Sequence, residues 1–320
     1  MADMGLYGTL FSALALVIVT FLAANMRTIW AEKDYPPEGE FVVVDGHQVH
    51  YVQEGQGPDV VLIHGSMGST RDATFRLLPA LVEAGYRVTA FDRPGLGYTP
   101  RLDDSGVTVS DQVDLLTSAA AQINLQNPIV AGQSYGGALA ANWALRDADQ
   151  IGGLVSIAGA THTWEGPLDL SYRVLSWPVV GPILSHAVAA IMSDNRLNSM
   201  VEAVFRPDDM PEGYIDHFGP RLNLSPRRLR ANAQQRTDLR EQLRGQETRY
   251  GEITVPVEVV HGEADDIVGV EVHAEKLVAQ VEDGNLTRIP GAGHMLHHTH
   301  TSEIVAAVDR VALRMGAKSP

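Results

Sequence analysis

Apolar residues in this chain fall into short, mostly apolar runs at 41–44, 49–52, 60–63, 87–91, 129–131, 154–157, 257–260 and 286–289. Between most of them the pattern changes to the three-to-four-residue spacing of amphipathic helices, as at 75–84, 109–123, 270–281 and 303–315. Continuous apolar strands that alternate with helices predict a mostly parallel sheet covered on both faces. Asp45-Gly46, between the first two runs, is a hairpin signal, so the sheet starts with an antiparallel edge. The expected architecture is therefore an α/β fold with an eight-stranded, mostly parallel sheet.

The alternation stops between residues 163 and 251, where helix-like segments and prolines occur without a clear strand. A loop of about 90 residues does not fit inside a compact domain, so this stretch reads as an inserted helical lid. The core then comprises 40–162 and 252–320. Trp164, Tyr172, Trp177 and the apolar residues that follow them are expected to pack the lid on the core, with some lining an acyl pocket.

At the other end, Leu6 to Met26 contains no charge. Its 21 residues would cover roughly 31 Å as a helix, the thickness of a bilayer core. Tyr7 and Trp30 stand where interfacial aromatics would stand. A single-span anchor is the leading reading of 1–28. A signal segment and a buried core helix compete with it, but Met1-Ala2-Asp3 lacks the basic flank of a signal peptide. Arg27 and Lys33 follow the segment and no Lys or Arg precedes it, which favours the cytoplasmic side for the soluble domain. Residues 29–39, with Pro36-Pro37, read as a linker.

Composition narrows the function. The formal charge is −15, with 24 Lys+Arg against 39 Asp+Glu, which argues against a nucleic-acid partner. The one dense basic cluster, Arg227-Arg228-Leu229-Arg230, is diluted by nearby acids and reads as a solvated helix face. The chain has no cysteine, which excludes disulfides, a thiol nucleophile and Cys-ligated metals.

The chemistry centres on Gly132-Gln133-Ser134-Tyr135-Gly136, a G-x-S-x-G sequence with an apolar run before it and a small-residue helix pattern after it. In a strand–turn–helix this holds the serine strained and exposed at the tip of the turn, facing the free N–H groups of the helix start. His64-Gly65, Asp92-Arg93-Pro94-Gly95-Leu96-Gly97, His261-Gly262-Glu263-Ala264-Asp265 and Gly291-Ala292-Gly293-His294 follow predicted strands in order. Together these motifs resemble the α/β-hydrolase fold superfamily over nearly all of the soluble part, in a form similar to bacterial membrane-tethered members.

The resemblance implies Ser134 as nucleophile, His294 as its base and Asp265 as the acid that orients the histidine. Asp266 is the alternative acid, although it would more naturally cap the helix starting near Val270. The backbone N–H groups of Tyr135 and Ser66, with Met67 as second choice to Ser66, are expected to form the oxyanion hole. His64 reads as a buried structural histidine, and the 92–97 stretch as a tight turn rather than a phosphate loop. His297, His298 and His300 are expected to meet solvent or the substrate mouth rather than a metal. No metal or cofactor is expected. The expected activity is hydrolysis of a hydrophobic small-molecule or lipid-derived ester beside a membrane. The alternatives are C–C, thioester or perhydrolase chemistry on the same triad, or a non-catalytic binding protein.

Overall fold

The computed structural model describes residues 2–103 and 107–318. Its strands are β1 (Glu40–Val44), β2 (His47–Gly55), β3 (Asp59–Ile63), β4 (Arg87–Phe91), β5 (Ile129–Gln133), β6 (Gly153–Ile157), β7 (Val257–Gly262) and β8 (Gly284–Ile289). They form one eight-stranded sheet in the order β1-β2-β4-β3-β5-β6-β7-β8. β1 and β2 are antiparallel, as are β2 and β4; every later pairing is parallel. The mostly parallel α/β sheet expected from the apolar runs is the one observed.

The core helices are α2 (Thr70–Phe75), α3 (Leu77–Glu83), α4 (Val109–Gln122), α5 (Tyr135–Arg146), α12 (Ala274–Gln280), α13 (Leu296–Thr299) and α14 (Thr301–Arg314). Six more lie between β6 and β7: α6 (Leu170–Ser176), α7 (Val180–Ile191), α8 (Asp194–Val204), α9 (Tyr214–Phe218), α10 (Pro220–Asn223) and α11 (Pro226–Gln246). The N-terminal helix is α1 (Ala2–Asp34).

Strand alternation divides the core between the two faces of the sheet. Val61 and Ile63 pack with α4 and α5 through Val113, Leu116, Leu139 and Trp143. Val60 and Leu62 face the other way, onto Leu78 and Leu81 of α3 and Ile304 and Val308 of α14. Burial on both faces of the central strands explains why they read as mostly apolar runs.

Several expectations shift. The helix expected at 75–84 is α3, and it is preceded by a separate short helix, α2, because Arg76 between them leaves helical geometry at φ −139°. The helix expected from Val270 begins at Ala274, after a turn. The linker expected from residue 29 starts only after Asp34, since α1 continues for 33 residues, about 50 Å. Its C-terminal part docks on the lid: Ala24 and Ala31 are buried, Phe21 stacks on His186 at 3.8 Å, and Arg27 donates to the Met192 carbonyl at 2.8 Å. Phe11–Asp34, with mean hydropathy 1.7, is long and apolar enough to cross a membrane. Trp177, Val179, Ile183, Ile191 and Met200 of the lid are exposed, contrary to the expectation that such residues pack on the core.

Candidate active site

The nucleophile elbow needs three glycines for lack of space. A Cβ on Gly132 would lie 2.1 Å from the Gly136 carbonyl oxygen. One on Gly136 would lie 2.2 Å from the Ile63 carbonyl oxygen. One on Gly65 would meet Ser134 Cβ at 3.1 Å and Gln133 Oε1 at 2.2 Å. β5 can therefore turn directly into α5 with the oxyanion loop pressed against it. Ser134, at the junction, has φ 53° and ψ −117°, a strained conformation for a residue with a side chain.

On the neighbouring loops, His294 Nδ1 donates to Asp265 Oδ2 at 2.7 Å. The other oxygen, Oδ1, accepts from the N–H groups of Ile267 and Val268, both at 2.9 Å. His261 Nε2 lies 3.4 Å from Oδ2 and donates to the Val268 carbonyl at 2.7 Å. Burial alone would raise the pKa of Asp265. The bonds from His261, His294 and Val268 N–H outweigh it and hold the carboxyl well below the usual range. Asp265 is thus an ionised, fixed acceptor that sets the Nδ1–H tautomer of His294 and leaves Nε2 as the basic nitrogen. Asp266 is exposed and does not take this place.

The remaining link is open. No hydrogen bond joins Ser134 Oγ to His294 in the described residues. Gln133 Nε2 instead donates to His294 Nε2 at 3.3 Å. The base nitrogen is therefore capped by the residue preceding the serine, and the side chain of Gln133 must turn away before Ser134 can reach it.

Around the serine, the expected oxyanion donors separate. Tyr135 opens α5, so its N–H has no acceptor within the helix. Met67, at φ 54°, gives its N–H to Asn232 Oδ1 at 2.9 Å, so this donor is already occupied. No acceptor for the Ser66 N–H occurs among the described residues, which leaves Ser66 as the free donor of that loop.

Two further neighbours of the serine turn had no role assigned from the sequence. Arg93 is fully buried beneath the elbow. Its Nη2 donates to the Gly65 carbonyl at 3.1 Å, and its guanidinium lies 4.1 Å from the centre of the Tyr135 ring. Burial lowers its pKa to about 10, still leaving it charged at neutral pH. Asn232 of α11 holds the oxyanion loop, but nothing in a helix-like lid stretch marks one asparagine for that task.

His64 is structural, as expected. It accepts from Arg93 N at 3.0 Å through Nε2 and donates to the Gly65 carbonyl at 2.9 Å through Nδ1. Burial and then the Arg93 charge depress its pKa to about 4, so it stays neutral. The 92–97 segment is a turn. Asp92 fills it, accepting from the N–H groups of Thr70 and Tyr98, both at 2.7 Å, and from His50 Nδ1 at 2.6 Å.

The expectation for the later histidines is overturned for two of the three. His297 and His298 are buried. Their Nε2 atoms donate to the two oxygens of Asp72 at 3.0 and 2.8 Å, and Tyr214 OH adds a third donor at 2.6 Å. The Nδ1 atoms of both rings lack partners, whereas a metal-ligating histidine usually donates from its second nitrogen. Asp72 thus ties α2, α13 and lid helix α9 together through three hydrogen bonds. His300 is half-buried, with Nδ1 2.9 Å from Thr299 Oγ1.

The parallel sheet, the glycine-lined elbow after β5 and the Asp–His pair after β7 and β8 define an α/β fold of the hydrolase type. The model of the alpha/beta hydrolase family matches residues 60–308, and the chain belongs to that family. It is 28% identical over 264 residues to the 2-hydroxy-6-oxononadienedioate/2-hydroxy-6-oxononatrienedioate hydrolase of Cupriavidus pinatubonensis, covering 79% of this chain and 86% of that one. It is 24% identical over 284 residues to haloalkane dehalogenase 2 of Mycobacterium tuberculosis, covering 86% and 94%. Among solved structures it is similar to a membrane phospholipase A described as a bacterial virulence factor, with TM-score 0.66 and 21% identity over 97% of this chain and 99% of that one. An esterase from Exiguobacterium antarcticum gives TM-score 0.69 and 22% identity over 85% and 99%.

Proposed function

We propose that the protein is a serine hydrolase that cleaves a hydrophobic carboxylic ester through an acyl-enzyme, attached to a membrane by α1. The observation that carries this reading is the His294–Asp265 pair, 2.7 Å apart, beside a serine held at φ 53°. Once Gln133 swings aside, His294 Nε2 takes the Ser134 proton as Oγ bonds to the acyl carbon. The negative charge on the carbonyl oxygen is held by the N–H groups of Tyr135 and Ser66. The tetrahedral adduct then expels the alcohol, which receives the proton from His294. Water attacks the acyl-enzyme, giving its proton to the same nitrogen, and Ser134 recovers a proton as the acid leaves. A serine at this position supports acyl transfer, whereas an aspartate would have supported an alkyl-enzyme of the haloalkane-hydrolysing kind.

An apolar acyl group is supported by the lid's inner face. Leu197, Leu224 and Leu229 form a buried cluster with Val188, Met192 and Met67, the last from the oxyanion loop. The likeness to a membrane phospholipase A over almost the full length of both chains supports a lipid-derived ester. The relative from Cupriavidus pinatubonensis favours a second reading, C–C bond hydrolysis at the same triad. Full-length protein in detergent should hydrolyse nitrophenyl esters in a chain-length-dependent way, with Ser134→Ala inactive. No ester turnover at any length, with turnover of a 2-hydroxy-6-oxo-dienedioate, would transfer the assignment to C–C hydrolysis.

A further inference from the structure

A cleft of about 1010 Å³ opens at the foot of α1, away from Ser134. Asn25, Thr28 and Glu32 of α1 form one wall, the start of α7 a second, the start of α11 a third and the 95–103 segment a fourth. We propose that this cleft binds a phosphate group, and that its source is the anionic headgroup of a membrane lipid.

The first argument is charge. Arg101, Arg227, Arg228 and Arg230 line the cleft, against the carboxylates of Glu32 and Asp103. This local excess of cations occurs in a chain whose formal charge is −15. The sequence reading of the 227–230 cluster as a solvated helix face is thus revised, because the fold buries Arg228 and turns the cluster onto an open concave surface.

The second argument is what the arginines already hold. Arg228 is committed to the fold: it donates to Glu32 Oε1 at 3.0 Å, the Gly97 carbonyl at 2.7 Å and the Leu222 carbonyl at 3.1 Å. Arg101 donates to Gln234 Oε1 at 2.6 Å and the Asp103 carbonyl at 3.0 Å. Arg227 and Arg230 have no hydrogen-bonded or ion-pair partner among the described residues. The Nε–H of Arg230 is buried without an acceptor. An unsatisfied buried donor is costly, and the exposed Arg227 and half-buried Arg230, both without a protein partner among the described residues, offer fork-shaped donors suited to a phosphate. Arg227 lies on the first turn of the 21-residue α11, where the helix dipole adds partial positive charge, and Arg230 follows one turn further on the same face.

The third argument identifies the source. Asn25 stands at the end of the uncharged stretch Leu6–Met26, and Thr28 and Glu32 follow directly on it. With the solvent-exposed part of that stretch, from Phe11 to Val19, in the hydrocarbon, the cleft beside its docked end lies at the level of the headgroups, where basic pockets beside membrane helices collect anionic lipids. Asn232, one helical turn beyond Arg228, holds Met67 N–H at 2.9 Å, so the phosphate-binding residues and the oxyanion loop are joined by one rigid helix. The inference does not rest on the reaction assigned to Ser134.

Calorimetric titration of full-length protein in neutral detergent tests it. The first probe is a short-chain dialkyl phosphatidate, whose ether links no esterase cuts; the second is inorganic phosphate. The phosphatidate should bind saturably, and R227Q/R230Q should weaken it at least tenfold. Arg227→Gln alone, at an exposed side chain, should weaken it severalfold without disturbing the fold. R240Q/R244Q, further along the same helix, should bind like the wild type. Inorganic phosphate binding as tightly, with the same sensitivity to R227Q/R230Q, would keep the phosphate site and overturn the lipid source. Absence of saturable binding of either probe, or wild-type affinity in R227Q/R230Q, would overturn the site.

Discussion

Each member of the proposed triad owes its role to immediate neighbours. Asp265 is fixed by two backbone N–H groups and stays ionised, so it orients His294 without taking its proton. Asp265→Asn should leave the fold intact and lower kcat for a nitrophenyl ester by about 10⁴-fold, the effect of losing the correct tautomer. Gln133 has the opposite influence, because its amide occupies the nitrogen that Ser134 needs. Gln133→Ala should raise kcat/KM by about fivefold, the equivalent of one neutral hydrogen bond. A fall instead would make Gln133 a positioning residue. Ser134 and His294 were legible as candidates because each follows an apolar run in a glycine-rich sequence, and Asp265 because it stands in the loop after the seventh run, where the resemblance places the acid. The Gln133 cap was not, since the x in G-x-S-x-G carries no fixed chemistry. Nor were the partners of His297 and His298, because Asp72 lies more than 220 residues away along the chain.

At the scale of elements, α2, α13 and α9 meet on buried titratable groups. Asp72 joins them with its pKa held well below the usual range: burial raises it, and the charges and hydrogen bonds of His297 and His298 overcome that. Burial, followed by the nearby His297, depresses His298 to about 4, and His64 is depressed to about 4 as well. A histidine depressed on folding binds fewer protons than it does unfolded, so stability is fully present above its ordinary value of 6.5 and is lost as pH falls toward 4. Thermal melts should show the midpoint falling steadily between pH 6.5 and 4. His298→Phe should flatten part of that fall, and an unchanged slope would contradict the buried neutral state. The central strands were readable because parallel strands buried on both faces are mostly apolar. The extent of α1 was not, because Glu32, which reads as the start of a polar linker, is held by Arg228 from α11. The break at Arg76 has the same origin, as its guanidinium donates to the His298 carbonyl at 2.7 Å.

On the whole-molecule scale, the N-terminal helix and the lid act as one body. The apolar part of α1 carries exposed Phe11, Leu14, Leu16, Val19 and Leu22, and the lid adds exposed Trp177, Val179 and Ile183. Burying such side chains in hydrocarbon is worth about 1.5–3 kcal/mol each. Carbonate washing of membranes should therefore leave the full-length protein in the pellet and release a form lacking residues 2–34; release of the full-length protein would refute the spanning helix. The composition revealed a long apolar helix, but not that its last third docks on the lid, because that contact depends on His186, Met192 and Arg228, all distant in sequence.

The account rests most directly on an activated serine at the elbow. Treatment of the full-length protein with a fluorophosphonate, followed by peptide mass spectrometry, measures it. One phosphonyl group on Ser134, absent in Ser134→Ala and strongly slowed in His294→Ala, is the predicted result. A folded protein that stays unlabelled, or that carries the adduct on another residue, would contradict it.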